Sequence, residues 1–230
     1  MTVPTLDRRM LLGGAVLATT AIATTAAGQP AASPSYTPAP LPFDPKAVPG
    51  LSEKLLTSHH DNNYVGAVKR LGAIRAAFAK LDPAAAPGFE INGLKREELI
   101  AWNSMILHEA YFDGLGASEA ASPPLARAIE RDFGSHDRWA AEFSAMGKAL
   151  GGGSGWVLLT YSRRDNRLVN TWAADHTMVL ADGAPLLALD MYEHAYQMDY
   201  GAKAGDYVNA FMKAFTWRHA NSAFKRAGGA

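Results

Sequence analysis

The chain has 230 residues, with 22 lysines and arginines against 22 aspartates and glutamates and no cysteine. Disulfides, zinc-thiolate sites, iron–sulfur clusters and cysteine nucleophiles are therefore excluded, and chemistry has to come from histidine, carboxylate, hydroxyl or a bound cofactor. A hydrophobic content of 48% belongs to a folded globular chain rather than a disordered one. Zero net charge supplies no global field for polyanions, so no nucleic-acid partner is expected.

Residues 1–27 read as an export signal. Arg8-Arg9 precedes the apolar, small-residue run from Met10 to Ala23, which is too short and too rich in Gly, Ala and Thr for a membrane span of roughly 20 apolar residues. The arrangement Arg-Arg-Met-Leu-Leu resembles a bacterial twin-arginine signal, although Asp7 stands where Ser or Thr is usual. It implies the export machinery as a partner and a periplasmic or secreted protein; an uncleaved membrane anchor is the alternative. Residues 28–40 are rich in Pro and Ala and are expected to form an extended linker, with the fold starting near Leu41.

Ser52 is placed to cap a long helical pattern whose apolar positions run through Val65, Val68, Leu71, Ile74 and Phe78. Asp82 to Gly93, with Pro83, Pro87 and Gly88, is expected as a loop. A second helix from about Lys95 to Asp113 folds back as an antiparallel hairpin, giving an N-terminal helical domain over residues 41–121. Pro123-Pro124 marks the start of a C-terminal domain over residues 122–230. There, Leu125 to Phe133 and Asp137 to Leu150 are helical, with Ser135 as N-cap of the second. The glycine run at Gly151 ends the helix, and three strands follow: Trp156 to Tyr161, Arg167 to Trp172, and Pro185 to Asp190. A last helix spans about Tyr207 to Ala227. Helices first and then a small meander give an α+β fold, a helical hairpin packed on a lobe of helices and a three-stranded antiparallel sheet.

Chemistry concentrates in three places. Asp190-Met-Tyr-Glu-His194 sets a carboxylate and an imidazole four residues apart; if the segment turns helical after Leu189, both face one metal. Four residues apart is also the spacing of a surface ion pair. His108 lies inside the second helix among apolar neighbours, where a hydrogen-bonded core histidine is the plain reading. His59 and His60 are adjacent on the first helix and point about 100° apart, so at most one joins a tight site. Three imidazoles and a carboxylate meeting between the lobes form a mixed nitrogen and oxygen shell suited to iron or manganese, with zinc possible.

These residues resemble the iron/manganese superoxide dismutase family. The resemblance runs from Leu41-Pro-Phe to about Ala223 and is most specific at Asp190-Met-Tyr-Glu-His-Ala-Tyr, which is similar to that family's Asp-x-Trp-Glu-His-Ala-Tyr. Gly153-Ser-Gly-Trp156, Phe133-Gly-Ser135 and the helix carrying His108 with Tyr111-Phe112 support it in order and spacing. The resemblance implies dismutation of superoxide, one iron or manganese ion per subunit and a homodimer. It implies a metal held by His108, Asp190, His194 and one first-helix histidine, with Tyr64 as the gateway residue relaying protons. Trp156, Tyr192, Tyr111 and Phe112 match the aromatic surround of the metal, and Glu193 matches a bridge to a ligand histidine of the other subunit. An exported dimeric metal-binding protein without dismutation is the alternative function.

Two departures bear on the site. Relative to the family, about three residues are missing between the first ligand and Tyr64. Matching from the N-terminal side favours His59, whereas the helical stripe Leu56, His60, Tyr64 and Val68 favours His60; His59 is taken as the ligand, with His60 as the alternative. The family's glutamine near the metal-bound solvent is also missing: Ser104 and Gly152 stand at the two positions matched to it, and the usual second-sphere histidine and its interface tyrosine partner are lost, with Gln197 at the latter. His176 and Gln197 are the polar substitutes the sequence offers without placing them.

Overall fold

A computed structural model describes residues 36–229. The expected export signal, residues 1–27, and the first part of the expected linker, residues 28–35, lie outside the described residues. The rest of the linker is not free: Tyr36 closes edge-on against Trp102, its hydroxyl accepts from Arg75 at 2.9 Å, and Ala39 is bonded on both its peptide groups. Packed chain thus begins by Tyr36, ahead of the expected start of the fold at Leu41.

Ser52 Oγ accepts from the Leu55 amide at 3.0 Å and starts helix α1, Glu53–Ser58. A π-helical turn follows over His59–Tyr64, and α2 continues through Val65–Phe78. The second helix, α3, spans Gly88–Asp113. It starts well before the expected Lys95, because Pro87 delivers an extended residue ahead of the first turn and Gly88 and Gly93 are tolerated once the helix is anchored downstream. α2 and α3 pair as an antiparallel hairpin, and Arg75 binds Glu98 across it at 3.0 Å.

After α4, Pro123–Phe133, the residue Gly134 takes a left-handed φ of +84° and closes the helix. Ser135 then caps α5, His136–Ala149, through Arg138 N at 3.1 Å. Strands β1, Trp156–Ser162, β2, Arg167–Ala173, and β3, Gly183–Asp190, pair antiparallel in the order β2-β1-β3. Every residue of the central strand β1 is buried, so the sheet is covered on both faces. The register opposes Trp156 to Ala173 on one side and to Asp190 on the other. This pins the end of β3 to the start of β1.

A short turn, α6, Gln197–Tyr200, precedes α7, Ala204–Ala214, and α8, Arg218–Arg226. The single last helix expected from Tyr207 to Ala227 is broken at Phe215, which pairs with Leu115 as a β-bridge while Thr216 N binds the Gly114 carbonyl at 2.8 Å. One continuous core joins the hairpin and the sheet lobe, with Leu107 and Leu115 of the first half and Leu187 and Leu189 of the second all buried. Each such leucine contributes about 1.5–3 kcal/mol through burial. Among the described residues no helix is long and apolar enough to cross a membrane.

Candidate metal centre

His59 comes from the π turn, His108 from late α3, Asp190 from the last position of β3 and His194 from a 3-10 turn over Glu193–Ala195. One donor atom from each lies within 4.8 Å of the others. The last pair is not on a helix as expected: β3 ends at Asp190, Tyr192 stays extended, and the tight turn then carries His194 back over the strand end. Asp190 Oδ2 is the common neighbour, 3.1 Å from His59 Nε2, 3.1 Å from His194 Nε2 and 3.6 Å from His108 Nε2. His60 is outside this cluster. Its Nε2 donates to the Ala39 carbonyl at 2.8 Å, and Nδ1 meets the Asp61 carboxylate at 2.8 Å. The stripe that favoured His60 assumed four-residue spacing throughout, but Val65 N reaches back five residues to the His60 carbonyl, which shifts the phase of the face at this point.

The arrangement calls for a cation. His108 Nε2 is buried and aimed into the cluster with no hydrogen-bond partner among the described residues, and a buried polar atom without a partner costs about 1–3 kcal/mol. One carboxylate oxygen satisfies two of the three imidazoles and leaves the third over. Three nitrogens and one oxygen are a donor set suited to iron or manganese, so these residues fit such an ion.

The charge states agree. Burial lowers the pKa of His59 and brings that of His108 down to about 3, so both rings are neutral and available as donors. For Asp190, burial works against the charge, but the hydrogen bonds with His194 and His59 outweigh it and hold the carboxyl well below the usual range. The pH dependence follows in sign. The unfolded chain protonates both histidines as pH falls through about 6.5, whereas in the fold both take up their protons at lower pH. The stability that neutral His108 contributes is complete above the unfolded value and is lost as pH drops toward about 3, at about 1.4 kcal/mol per pH unit, and His59 adds a loss of the same sign. Calorimetry of the metal-free protein is expected to show a Tm that falls steeply below pH ~6. A Tm level between neutral pH and pH ~4.5 would contradict neutral, buried imidazoles.

Comparison with known proteins agrees with this geometry. Residues 121–223 match the family described as iron/manganese superoxide dismutases, C-terminal domain. A superoxide dismutase [Fe] of Cupriavidus metallidurans is 65% identical over 192 residues, covering 84% of this chain and 98% of that protein. The chain belongs to the iron/manganese superoxide dismutase family. More distant members include superoxide dismutase [Mn] 2 of Haloferax volcanii, 34% identical with 84% and 97% covered, and superoxide dismutase [Fe] of Methanothermobacter thermautotrophicus, 33% identical with 81% and 92% covered.

The chain surrounds its cluster with aromatic rings. Tyr111 and Phe112 lie 4.9 and 5.1 Å from the His59 ring, Trp156 lies 5.3 Å from His108, and Tyr192 stacks on His194 at 5.4 Å. Burial and the nearby Asp190 push the Tyr192 phenol up to about 12, so it stays protonated. Glu193 is exposed, and its carboxylate has no hydrogen-bond or ion-pair partner among the described residues.

The Tyr64 hydroxyl bonds to protein groups outside the four-residue cluster. Its hydroxyl accepts from Ala39 N at 3.0 Å and donates to Glu109 at 3.1 Å, and the Phe112 ring touches both Tyr64 and His59. The Tyr64 hydroxyl is thus bonded to the N-terminal segment and to α3. The residue that reaches the site instead is His176, in the loop between β2 and β3. Its ring stacks on Tyr192 at 5.0 Å and lies 6.2 Å from His108, while Trp156 Nε1 donates to its Nδ1 at 3.0 Å. Indole donates only, so the neutral ring carries its proton on Nε2. Ser104 turns its backbone carbonyl to His108 Nδ1 at 2.6 Å, and Gly152 and Gln197 are exposed.

Proposed function

We propose that His59, His108, Asp190 and His194 hold one iron or manganese ion per subunit, and that this centre dismutates superoxide to oxygen and hydrogen peroxide. The observation that carries the reading is the convergence of four buried or half-buried donors on one point with His108 Nε2 left unpartnered. A bound ion of either kind supplies one-electron chemistry, alternating between trivalent and divalent states, and keeps a positive charge of about +1 or +2 that attracts an anionic substrate. The 65% identity to an iron enzyme supports iron.

The chain's own part is orientation, exclusion and proton supply. The Ser104 carbonyl fixes the His108 ring, and the Tyr192 amide holds Asp190 Oδ1 at 2.9 Å, which leaves Oδ2 for the ion. Tyr207 donates to the Asp190 backbone carbonyl at 2.8 Å and steadies the strand end from below. The aromatic rings keep larger reductants away. Reduction of superoxide to peroxide needs two protons, and His176, with Nε2–H free of the indole bond and its ring 6.2 Å from that of His108, is placed beside the ligands to supply them. It takes the role that the missing glutamine leaves open. His176→Ala is expected to lower turnover per bound metal roughly 10–100-fold with metal content retained. Trp156→Phe, which frees the tautomer, is expected to produce a smaller loss of the same kind. Unchanged turnover in His176→Ala would remove His176 from the proton path.

Further parts of the reading concern assembly and location. A homodimer is supported by unpartnered Glu193 beside His194, whose side chain is 27% exposed in the single chain while the other three ligands are sealed. Sedimentation at micromolar concentration tests it, with a monomer as the contrary result. Export to the periplasm is supported by Arg8-Arg9 and the run that follows; loss of export on Arg8→Lys with Arg9→Lys tests it. The activity itself is tested by superoxide turnover of the mature protein loaded separately with iron and with manganese, normalised to bound metal. Tight binding with negligible turnover in both forms would favour a metal-binding protein without dismutation.

A further inference from the structure

The two histidines of the helical hairpin are held differently. His108 has its second nitrogen fixed by the Ser104 carbonyl, whereas His59 Nδ1 is buried without a hydrogen-bond partner among the described residues. A metal-binding histidine ordinarily has that nitrogen held, and the bond sets the orientation of the ring. His59 lacks this support and takes its orientation from its backbone. That backbone is a π turn, which is rare and appears mostly as single turns inside α-helices.

Two side chains of the turn leave it and grip one residue outside the hairpin. His60 Nε2, facing a carbonyl and therefore protonated, donates to Ala39 O at 2.8 Å, and Ala39 N donates to the Tyr64 hydroxyl at 3.0 Å. The Tyr64 hydroxyl in turn donates a hydrogen bond to Glu109, the neighbour of His108, at 3.1 Å. Three residues upstream, Tyr36 is clamped between Trp102 and Arg75, whose guanidinium lies 4.7 Å from the centre of the Trp102 ring and 5.3 Å from that of Tyr36. Residues 36–40 are therefore a strap fastened to α2, to α3 and to both ends of the turn that carries His59.

We infer that this strap locks the π turn and so sets the position of His59, with His60 and Tyr64 as positioning residues and Ala39 as the point they share. The inference rests on His59 being a ligand. It assigns a purpose to His60, which shares the turn but not the metal. It also gives the segment just beyond the export signal a part in building the centre.

The test measures two rates on the full mature chain: loss of metal to a chelator, and amide hydrogen exchange over residues 59–64 in the metal-free protein. His60→Phe removes one latch, and Ala39→Pro removes the other by deleting its N–H. Both are expected to speed metal loss ~10-fold and to quicken exchange in the turn while α4 and α5 keep wild-type protection. His60→Gln, which retains a donor, is expected to restore most of both. Wild-type rates in His60→Phe and Ala39→Pro, or a His60→Gln as leaky as His60→Phe, would overturn the lock. Faster exchange with unchanged metal loss would overturn the positioning of a ligand. His59→Ala separates the two levels: if it keeps full metal, the ligand reading fails, and if it loses metal while the strap variants do not, only the strap inference fails.

Discussion

Asp190→Asn is expected to emerge from gel filtration without metal and still folded. The substitution changes one atom and the charge, and the surroundings decide which way the amide sits. Oδ1 accepts from the Tyr192 amide at 2.9 Å, so the new carbonyl oxygen must occupy that place and the NH2 must take the position of Oδ2. A hydrogen-bond donor then faces the point where His59, His108 and His194 converge. Loss of the one anionic donor and exposure of the ion to two N–H bonds act together. Changes to groups that merely support a ligand cost 10–100-fold in affinity, so replacing the ligand should exceed ~100-fold. The metal-free protein tolerates the change, because the amide can donate to an unprotonated imidazole and a buried charge has gone. Elemental analysis after desalting, with circular dichroism beside it, gives the answer. A variant that retains one equivalent of metal would remove Asp190 from the ligand set.

The largest loss of stability is expected from Gly155→Ala. Gly155 sits at φ +133°, where an L side chain is strained, and a Cβ there would lie 2.2 Å from the Ala173 carbonyl oxygen. That oxygen belongs to a strand backbone and cannot swing away. The same residue accepts from Met191 N at 2.9 Å and leads directly into Trp156, the partner of both Ala173 and Asp190. Any shift that relieves the clash therefore pulls the start of β1 away from the end of β3. A cost above ~3 kcal/mol is expected from strain and lost pairing together, which for a domain of this size lowers Tm by roughly 6–12 °C. Gly152→Ala is the control: its φ is also positive at +83°, but a Cβ there would meet nothing within 4 Å. It should cost only the ~1–2 kcal/mol of the left-handed backbone. Equal Tm values for the two variants would show that the contact with Ala173 does not matter.

Much of this architecture is legible in the sequence because it follows period and punctuation. The strand pair around the Arg163 to Asn166 turn, the caps at Ser52 and Ser135, and the stop at Gly134 are each written in a few adjacent residues. The π turn is not, because hydrophobic periodicity assumes constant phase, and an extra residue in one turn rotates everything before it relative to everything after. Hence the helical stripe alone prefers His60, whereas matching from the N-terminal side already prefers His59, the residue that the assembled core turns inward. His176 is equally hidden. It lies in a loop without periodicity, 20 residues after Trp156, and meets the site only because β1 and β2 return to the same end of the sheet. The strap was read as linker because Pro and Ala report an extended chain and do not report what it lies against.

The proposed ligands are divided between the two ends of the folded chain, with His59 and Asp190 separated by 131 positions. This has a consequence for how the protein is made. No nascent fragment that lacks the last strand has a complete set of donors, so capture of the ion comes after synthesis is essentially finished. Once captured, the ion closes a loop of more than one hundred residues in a chain that has no cysteine. In the unfolded ensemble a covalent closure of that length removes entropy worth about 4–5 kcal/mol. To the extent that the ion stays bound as the chain opens, it acts as a removable, redox-active counterpart of a disulfide.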